Sequence, residues 1–327
     1  MDVWFYEAFE EEAAALRSLL PPGIAAGFCR HTVQESGHDG PPATLLSIRT
    51  QSRVPDAWSG RYGALLSRST GYDHLRGIGG TPDLGYLPKY CVTAVAEHAL
   101  MLVLALLRRL PVQLAQLHRF ERDGLTGREA RGRTLAVIGV GEIGSEILSL
   151  ATAVGMRGVG VDVDPWRAGV PYVSEREALE SADVVVCAMD LRPENRGWLG
   201  PERLALLRPG AVFVNVSRGE LSPTVFLLDA LERGVLAGVG LDVYDEEADL
   251  AHALRSGSAP TTASARAALV LARRPDALLT PHNAFNTVEA VHRKSADSVT
   301  QVQSWLAEGR FVWPVPGPGS ARAVRAE

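Results

Sequence analysis

Leu135-Ala136-Val137-Ile138-Gly139-Val140-Gly141-Glu142-Ile143-Gly144 is the stretch that decides the fold class. Four apolar residues run into a Gly-X-Gly-X-X-Gly string, and apolar side chains then recur at 143, 147, 150, 151 and 154, the spacing of one helical face. Strand, glycine turn and helix in that order open a parallel α/β unit. The three glycines meet different steric demands. Gly139 permits the tight turn, Gly141 lets backbone approach a pyrophosphate, and Gly144 lets the helix pack closely on the strand. The helix start, at Glu142 and Ile143, then offers unpaired N–H groups and a partial positive charge to phosphates. Such a string is weak evidence alone. Here Asp162 closes the next apolar run, residues 159–161, and lies 18 positions past Gly144, about where a ribose-binding carboxylate is expected. Asp164 is the alternative, at a spacing two residues longer.

Outward from this motif the punctuation stays regular. Residues 183–188, 211–216, 239–243 and 278–279 read as further strands with helical segments between them, which implies a doubly wound parallel sheet. Ser222 is expected to cap one of those helices, with Pro223 at its first position. Towards the N-terminus, 3–6, 43–48 and 64–67 read as strands, and 10–20 as an amphipathic helix stopped by Pro21-Pro22. A loop with Gly79-Gly80, Pro82 and Pro88 leads into a helix over 93–109, the natural connection between two domains. From Pro314 onward the chain is rich in Pro, Gly and Ala and reads as a mobile tail.

Composition bounds the function. The chain has 327 residues, enough for two cores, with 46% hydrophobic and 22% charged residues. A formal charge of −5 argues against a nucleic-acid or anionic-membrane surface. Cys29, Cys91 and Cys187 are scattered and odd in number, so neither a disulfide framework nor a thiolate metal site is expected; each reads as a core filler. No metal-ligand spacing such as HExxH occurs among the eight histidines. The N-terminus lacks the basic start and apolar run of a signal peptide. The most apolar stretch, 99–107, is far short of the roughly 20 residues of a membrane span. A cytoplasmic protein is therefore expected, and the 99–107 helix suits a two-fold homodimer interface as well as a domain core.

Three segments carry side chains that a buried strand end does not need. Asn215-Val216-Ser217-Arg218-Gly219-Glu220 places an arginine at the carboxyl end of a strand, where open α/β sheets bind ligands, and its fork suits a carboxylate. Gly240-Leu241-Asp242-Val243-Tyr244-Asp245-Glu246-Glu247 supplies carboxylates. Thr280-Pro281-His282-Asn283-Ala284-Phe285 supplies the one histidine that directly follows a strand-like run and a proline; the other seven read as surface or packing histidines. A lone histidine is more often structural. With a carboxylate and an arginine in one crevice, His282 becomes a candidate acid–base group.

These segments, with Arg68-Ser69-Thr70-Gly71-Tyr72-Asp73 and Val95-Ala96-Glu97-His98, run in the order found in the NAD-dependent D-2-hydroxyacid dehydrogenases. The chain resembles that family over nearly its whole length. It is most similar to D-lactate dehydrogenase-like members, on Ala284-Phe285 and Pro88-Lys89-Tyr90. The resemblance implies an α/β chain with a Rossmann NAD-binding domain (99–292), a flavodoxin-like substrate domain (1–98 with 293–327) and an active site in the cleft between them. It implies Arg218, Glu247 and His282 as catalytic residues, with Glu246 the neighbouring alternative to Glu247. It also implies that the backbone of Ser69, Thr70 and Gly71 lines the substrate carboxylate site and that Asp242 faces the nicotinamide. Tyr72, Tyr90, Phe285 and the 248–275 segment are the expected contacts of the substrate side chain. Two departures stand out. Asp190 replaces a common proline, and the 248–275 segment is long, expected as an extra edge near the active-site mouth.

The expected chemistry is hydride transfer between NAD(H) and a small 2-oxo or D-2-hydroxy acid. His282 gives or takes the proton, and Glu247 orients the imidazole and favours its charged form. Two alternatives remain at this level: a dinucleotide-sensing co-regulator or scaffold of the same fold, and oxidation of another small anion such as formate or phosphite.

Overall fold

A computed structural model describes residues 1–79 and 82–317; Gly80 of the expected loop and residues 318–327 of the expected tail lie outside the described residues. The chain divides into two units, Met1–Cys91 with the chain from Asn286 onward, and Val92–Phe285. The expected junctions at 98/99 and 292/293 fall a few residues inside long helices rather than at their starts.

The first unit opens with β1 (Val3–Phe5), α1 (Glu10–Leu19), β2 (Ala26–Phe28), β3 (Leu45–Ile48), β4 (Ala64–Ser67) and β5 (Asp83–Gly85). The five strands make a parallel sheet in the order β2-β1-β3-β4-β5. β3 and β4 are buried along their whole length, which is why they read as continuous apolar runs. β2 and β5 escape sequence reading because Ala26-Gly27-Phe28 and Asp83-Leu84-Gly85 are short and poor in β-branched residues.

The second unit begins with α2 (Val92–Leu107) and α3 (Leu110–Gln116). The glycine motif follows as β6 (Thr134–Ile138) and α4 (Glu142–Ala153), then β7 (Arg157–Val161), α5 (Glu175–Ser181), β8 (Val184–Cys187), α6 (Pro201–Leu204) and β9 (Ala211–Asn215). After these come α7 (Thr224–Glu232), β10 (Leu236–Leu241), α8 (Glu247–Ser256), α9 (Ala263–Leu271) and β11 (Ala277–Leu279). The sheet is parallel throughout, in the order β11-β10-β9-β8-β6-β7. Chain direction across it reverses between β6 and β8, the switch point where open α/β sheets bind ligands. The apolar core runs from Ile138 and Val185 through Phe213 and Val239 to Leu271.

α10 (Val288–Glu308) returns the chain to the first unit and packs on α1. Thr287 caps it by accepting the Ala290 N–H, and Gly309 ends it in a left-handed conformation (φ +69°). The start of the expected tail is tied down instead of free: Val315 donates its N–H to the Leu84 carbonyl and Pro314 bridges to Gly85.

Two local expectations change. Ser222 does not cap α7, because its hydroxyl accepts from the buried Asn215 amide; Asp245 takes the cap role, accepting the Thr224 N–H at 3.0 Å and the Thr224 hydroxyl at 2.8 Å. The 248–275 segment adds no sheet edge. It forms α8 and α9, joined by a turn in which Asp249 accepts the N–H groups of Thr261 and Thr262, and α9 packs on α7. Cys91 and Cys187 are buried and Cys29 half-buried, all reduced.

Candidate active site

Arg218, Glu247 and His282 follow β9, β10 and β11, three neighbouring parallel strands, so all three emerge from the carboxyl edge of one sheet. Glu247 opens α8, and both its carboxylate oxygens lie near Nδ1 of His282, at 2.9 and 3.0 Å. Of the two carboxylates that the sequence leaves open, the structure brings Glu247 and not Glu246 to the histidine; Glu246 is the left-handed residue (φ +57°) before the helix. Both partners are about one-fifth exposed. With Nδ1 occupied by the carboxylate, Nε2 is the nitrogen available for proton exchange.

His282 has a left-handed backbone (φ +51°), which costs a residue with a Cβ roughly 1–3 kcal/mol and persists only if neighbours hold it. The holding group is Asp242. Its carboxylate, fully buried, accepts the N–H groups of Asn283 (2.8 Å) and Ala284 (2.9 Å) and the Thr280 hydroxyl (2.6 Å). Tyr244 adds a fourth tie by donating to the Thr280 carbonyl at 2.6 Å. His98 on α2 approaches the same cluster, with Nε2 3.0 Å from the Thr280 hydroxyl and 3.7 Å from Asp242. Burial lowers the His98 imidazole from its ordinary value, against the attraction of Asp242. Pattern alone reads His98 as a surface or packing residue and does not reveal this cluster. The only signal is its place in the Val95-Ala96-Glu97-His98 segment.

Arg218 sits where β9 ends. Asn215, completely buried, donates from its amide to the Arg218 carbonyl (2.9 Å) and accepts the Ser217 N–H (3.0 Å), so it shapes the loop that presents the arginine. Gly219 is obligatory: a Cβ there would collide with the backbone of Tyr244 and Asp245. In the sequence, Asn215 and Gly219 are legible only as members of a segment.

The glycine turn has the shape a pyrophosphate needs. Gly139 is left-handed (φ +93°) against the Met189 backbone, and a Cβ on Gly144 would strike the Gly139 carbonyl. A Cβ on Gly141 would meet open space, so at that position the backbone stays bare towards a volume the protein leaves unfilled. Asp162, just past β7, accepts the Val140 N–H at 2.7 Å and the Asp164 N–H at 2.9 Å, which fixes its carboxylate beside the turn. Those donors leave further lone pairs on both oxygens for ribose hydroxyls. The residues present fit a dinucleotide.

Residues 100–284 match the D-isomer specific 2-hydroxyacid dehydrogenase family, NAD binding domain. The chain belongs to that family. A D-2-hydroxyacid dehydrogenase (NAD+) of Lacticaseibacillus paracasei is 31% identical over 242 residues, 72% of each chain. The D-3-phosphoglycerate dehydrogenase of Mycobacterium tuberculosis is 33% identical over 232 residues, 69% of this chain but 40% of that protein, so the chain spans about two-fifths of the length of that relative. Among solved structures, D-lactate dehydrogenase from Aquifex aeolicus, complexed with NAD and lactic acid, superposes with a TM-score of 0.81 at 26% identity, covering 95% of this chain and 99% of that one. The α/β architecture expected from sequence, with its two parallel sheets, is therefore that of the family, and NAD is its dinucleotide.

The remaining expected contacts of this D-2-hydroxyacid dehydrogenase family chain lie as follows. Ser69, Thr70 and Gly71 follow β4 in the first unit, where the Ser69 hydroxyl donates to the Gly71 carbonyl at 2.8 Å and holds the loop in a tight bend. Tyr90 is buried, with the Lys294 ammonium 5.9 Å from its ring centre, and its burial pushes the phenol well above its ordinary value. Phe285 closes the second unit and is also buried. Asp190, which stands where proline is common in the family, is exposed and accepts the Asn195 side-chain N–H through its backbone carbonyl at 2.8 Å. No cluster of metal-ligating side chains and no single helix long and apolar enough to cross a membrane occurs among the described residues.

Proposed function

We propose that this protein interconverts small 2-oxo acids and D-2-hydroxy acids with NAD(H), using Arg218, Glu247 and His282. The observation that carries the reading is the Glu247–His282 pair, at 2.9 Å, emerging beside Arg218 from adjacent strand ends. NADH supplies the hydride for the 2-oxo carbon. Arg218 holds the substrate carboxylate through its fork. His282, protonated, releases a proton from Nε2 to the oxygen that becomes the hydroxyl. Glu247 fixes the ring orientation and balances the imidazolium charge. In oxidation the same groups act in reverse, with neutral His282 as the base. Asp162 receives the ribose hydroxyls, and the turn from Gly139 to Gly144, including the N–H groups of Glu142 and Ile143, receives the phosphates.

The test is NADH oxidation with pyruvate, glyoxylate, hydroxypyruvate, 2-oxobutyrate and phenylpyruvate, with chiral analysis of the product. D-configured product from at least one substrate supports the reading. Absence of turnover with all of them, despite NADH binding, would sink it.

We also propose a homodimer. Leu114, Leu117 and Phe120 are 60%, 64% and 74% exposed on and just after α3, and Met101 of α2 is half-exposed. A monomer rarely leaves so contiguous an apolar row in water, and a second copy covers such a row symmetrically. Sedimentation should give a dimer, and Leu117→Glu with Phe120→Glu should give a monomer; a monomeric native protein would overturn this.

A further inference from the structure

Glu142 is the first residue of α4, inside the Gly-X-Gly-X-X-Gly string itself, and it puts a carboxylate at the mouth of the phosphate-binding turn. A cofactor pyrophosphate carries a negative charge on each phosphate, so an uncompensated carboxylate there opposes binding. Asp162 and Asp164 add two more acidic side chains on the facing loop. A cation answers them. Arg167, five residues past Asp162, reaches Glu142 with Nη2 2.9 Å from Oε1.

The arginine is held in that pose from three sides. Its guanidinium lies 4.4 Å from the centre of the Trp166 ring, and its backbone N–H donates to the Tyr172 hydroxyl at 3.3 Å. Its Nε and Nη2 are both buried and neither makes a hydrogen bond within the described residues, so the link from Nη2 to Glu142 is an ion pair by proximity. Asp162 contacts Val140 while Arg167 contacts Glu142, so both groups bear on the same three-residue stretch of the turn. The pair is only partly in solvent, with Arg167 20% and Glu142 43% exposed.

We propose that Arg167 is a cofactor-positioning residue: it masks the Glu142 carboxylate at the phosphate turn, and that same pairing withholds it from a 2′-phosphate on the neighbouring ribose. The proposal rests on the reading of this turn as the NAD site. Cofactor selectivity then has two parts, repulsion by Asp162 and sequestration of Arg167 by Glu142. Loss of Arg167 unmasks Glu142 and weakens NADH binding. Loss of the Glu142 charge removes the opposition and frees Arg167.

Fluorescence titration of the full-length protein with NADH and NADPH, without substrate, tests this. Arg167→Ala should weaken NADH binding roughly tenfold, as expected for an unmasked charge several ångströms from the pyrophosphate in a partly solvated site. Added salt should shrink that deficit by screening. Glu142→Gln alone should tighten NADPH binding more than NADH binding. The double variant should recover most of the NADH affinity lost in Arg167→Ala. An arginine that merely braces its loop predicts the opposite: a salt-insensitive deficit and no recovery in the double variant, and either result overturns the proposal. Native protein that fails to bind NADH overturns the NAD reading along with it, whereas saturable native binding with no recovery overturns the role of Arg167 alone.

Discussion

Both carboxylate oxygens of Glu247 face one atom of His282, Nδ1, at 2.9 and 3.0 Å. The pairing occupies Nδ1 and leaves Nε2 as the nitrogen that the proposed proton transfer uses. His282→Ala should therefore lower kcat by roughly 10²–10⁴-fold while NADH binding is nearly retained. Glu247→Gln keeps an acceptor for Nδ1 but removes the countercharge of the imidazolium, and should cost about ten- to a hundredfold in reduction. Steady-state rates beside NADH titrations check both. An unchanged rate in His282→Ala would remove the histidine from the chemistry.

Arg218 is presented by a loop that Asn215 anchors from below, so the side chain has a fixed root. Arg218→Lys keeps the charge and loses the planar fork. KM for the 2-oxo acid should rise roughly ten- to a hundredfold, with a smaller fall in kcat from misorientation. The amide analogue of the same substrate, unable to form the ion pair, should be a poor substrate of the native enzyme. Equal activity on acid and amide would give Arg218 another role.

The first unit contains a charged core whose titration should show in stability. Glu12 on α1 is bound by Arg68 at 2.8 Å and by Lys294 of α10 at 3.0 Å, all three fully buried. Burial raises the Glu12 carboxyl, but the Arg68, Lys294 and Arg49 charges outweigh it and bring it down to about 2. Stability from this group is complete above the unfolded carboxylate value and is lost as pH falls from about 4.5 towards 2. Lys294 is brought down to about 7, chiefly by burial, so between about 7 and 10.5 the unfolded chain binds more protons and stability rises with pH. Glu12→Gln should destabilise the protein by about 3–5 kcal/mol, because it strands buried cations, and should flatten the acid limb. Denaturant unfolding across pH checks both limbs; an unaltered acid limb in the variant would show that other carboxylates set it.

Sequence pattern reveals the parts of this protein that rest on short-range rules. The strand–turn–helix around Gly139 is contiguous, and its glycines face local steric demands that leave a visible string. Arg218 and His282 also show, each just past a strand end where an apolar run stops, whereas Glu247, six residues past β10, is singled out only by the resemblance to the family. What stays hidden is the support: Asp242, Tyr244 and His98 converge on the Thr280–Ala284 turn from sequence separations of 36 to 182 residues. No periodicity encodes such a meeting. The Ser222 cap fails for the same reason, because Asn215 and Asp245, distant or differently aimed, outcompete a local rule.

Cofactor choice supplies the last prediction. Asp162 is not a free side chain: its two oxygens accept the Val140 and Asp164 N–H groups, at 2.7 and 2.9 Å, so the carboxylate is fixed in place beside the glycine turn. Ribose hydroxyls can donate to its remaining lone pairs, whereas a 2′-phosphate would bring about two negative charges against it. Asp164 stands behind, and Arg167 is engaged by Glu142 and not available to compensate. Native kcat/KM should favour NADH over NADPH by at least on the order of a hundredfold. Asp162→Ser removes the charge, keeps one hydroxyl for the turn, and should cut that ratio by at least about tenfold, through a gain with NADPH as well as a loss with NADH. Thermal unfolding of the variant guards against a collapsed turn, since lost stability would lower both cofactors together. A native preference for NADPH, or an unchanged ratio in a stably folded Asp162→Ser, would reduce Asp162 to a cap on the turn after β7 and move the selectivity elsewhere.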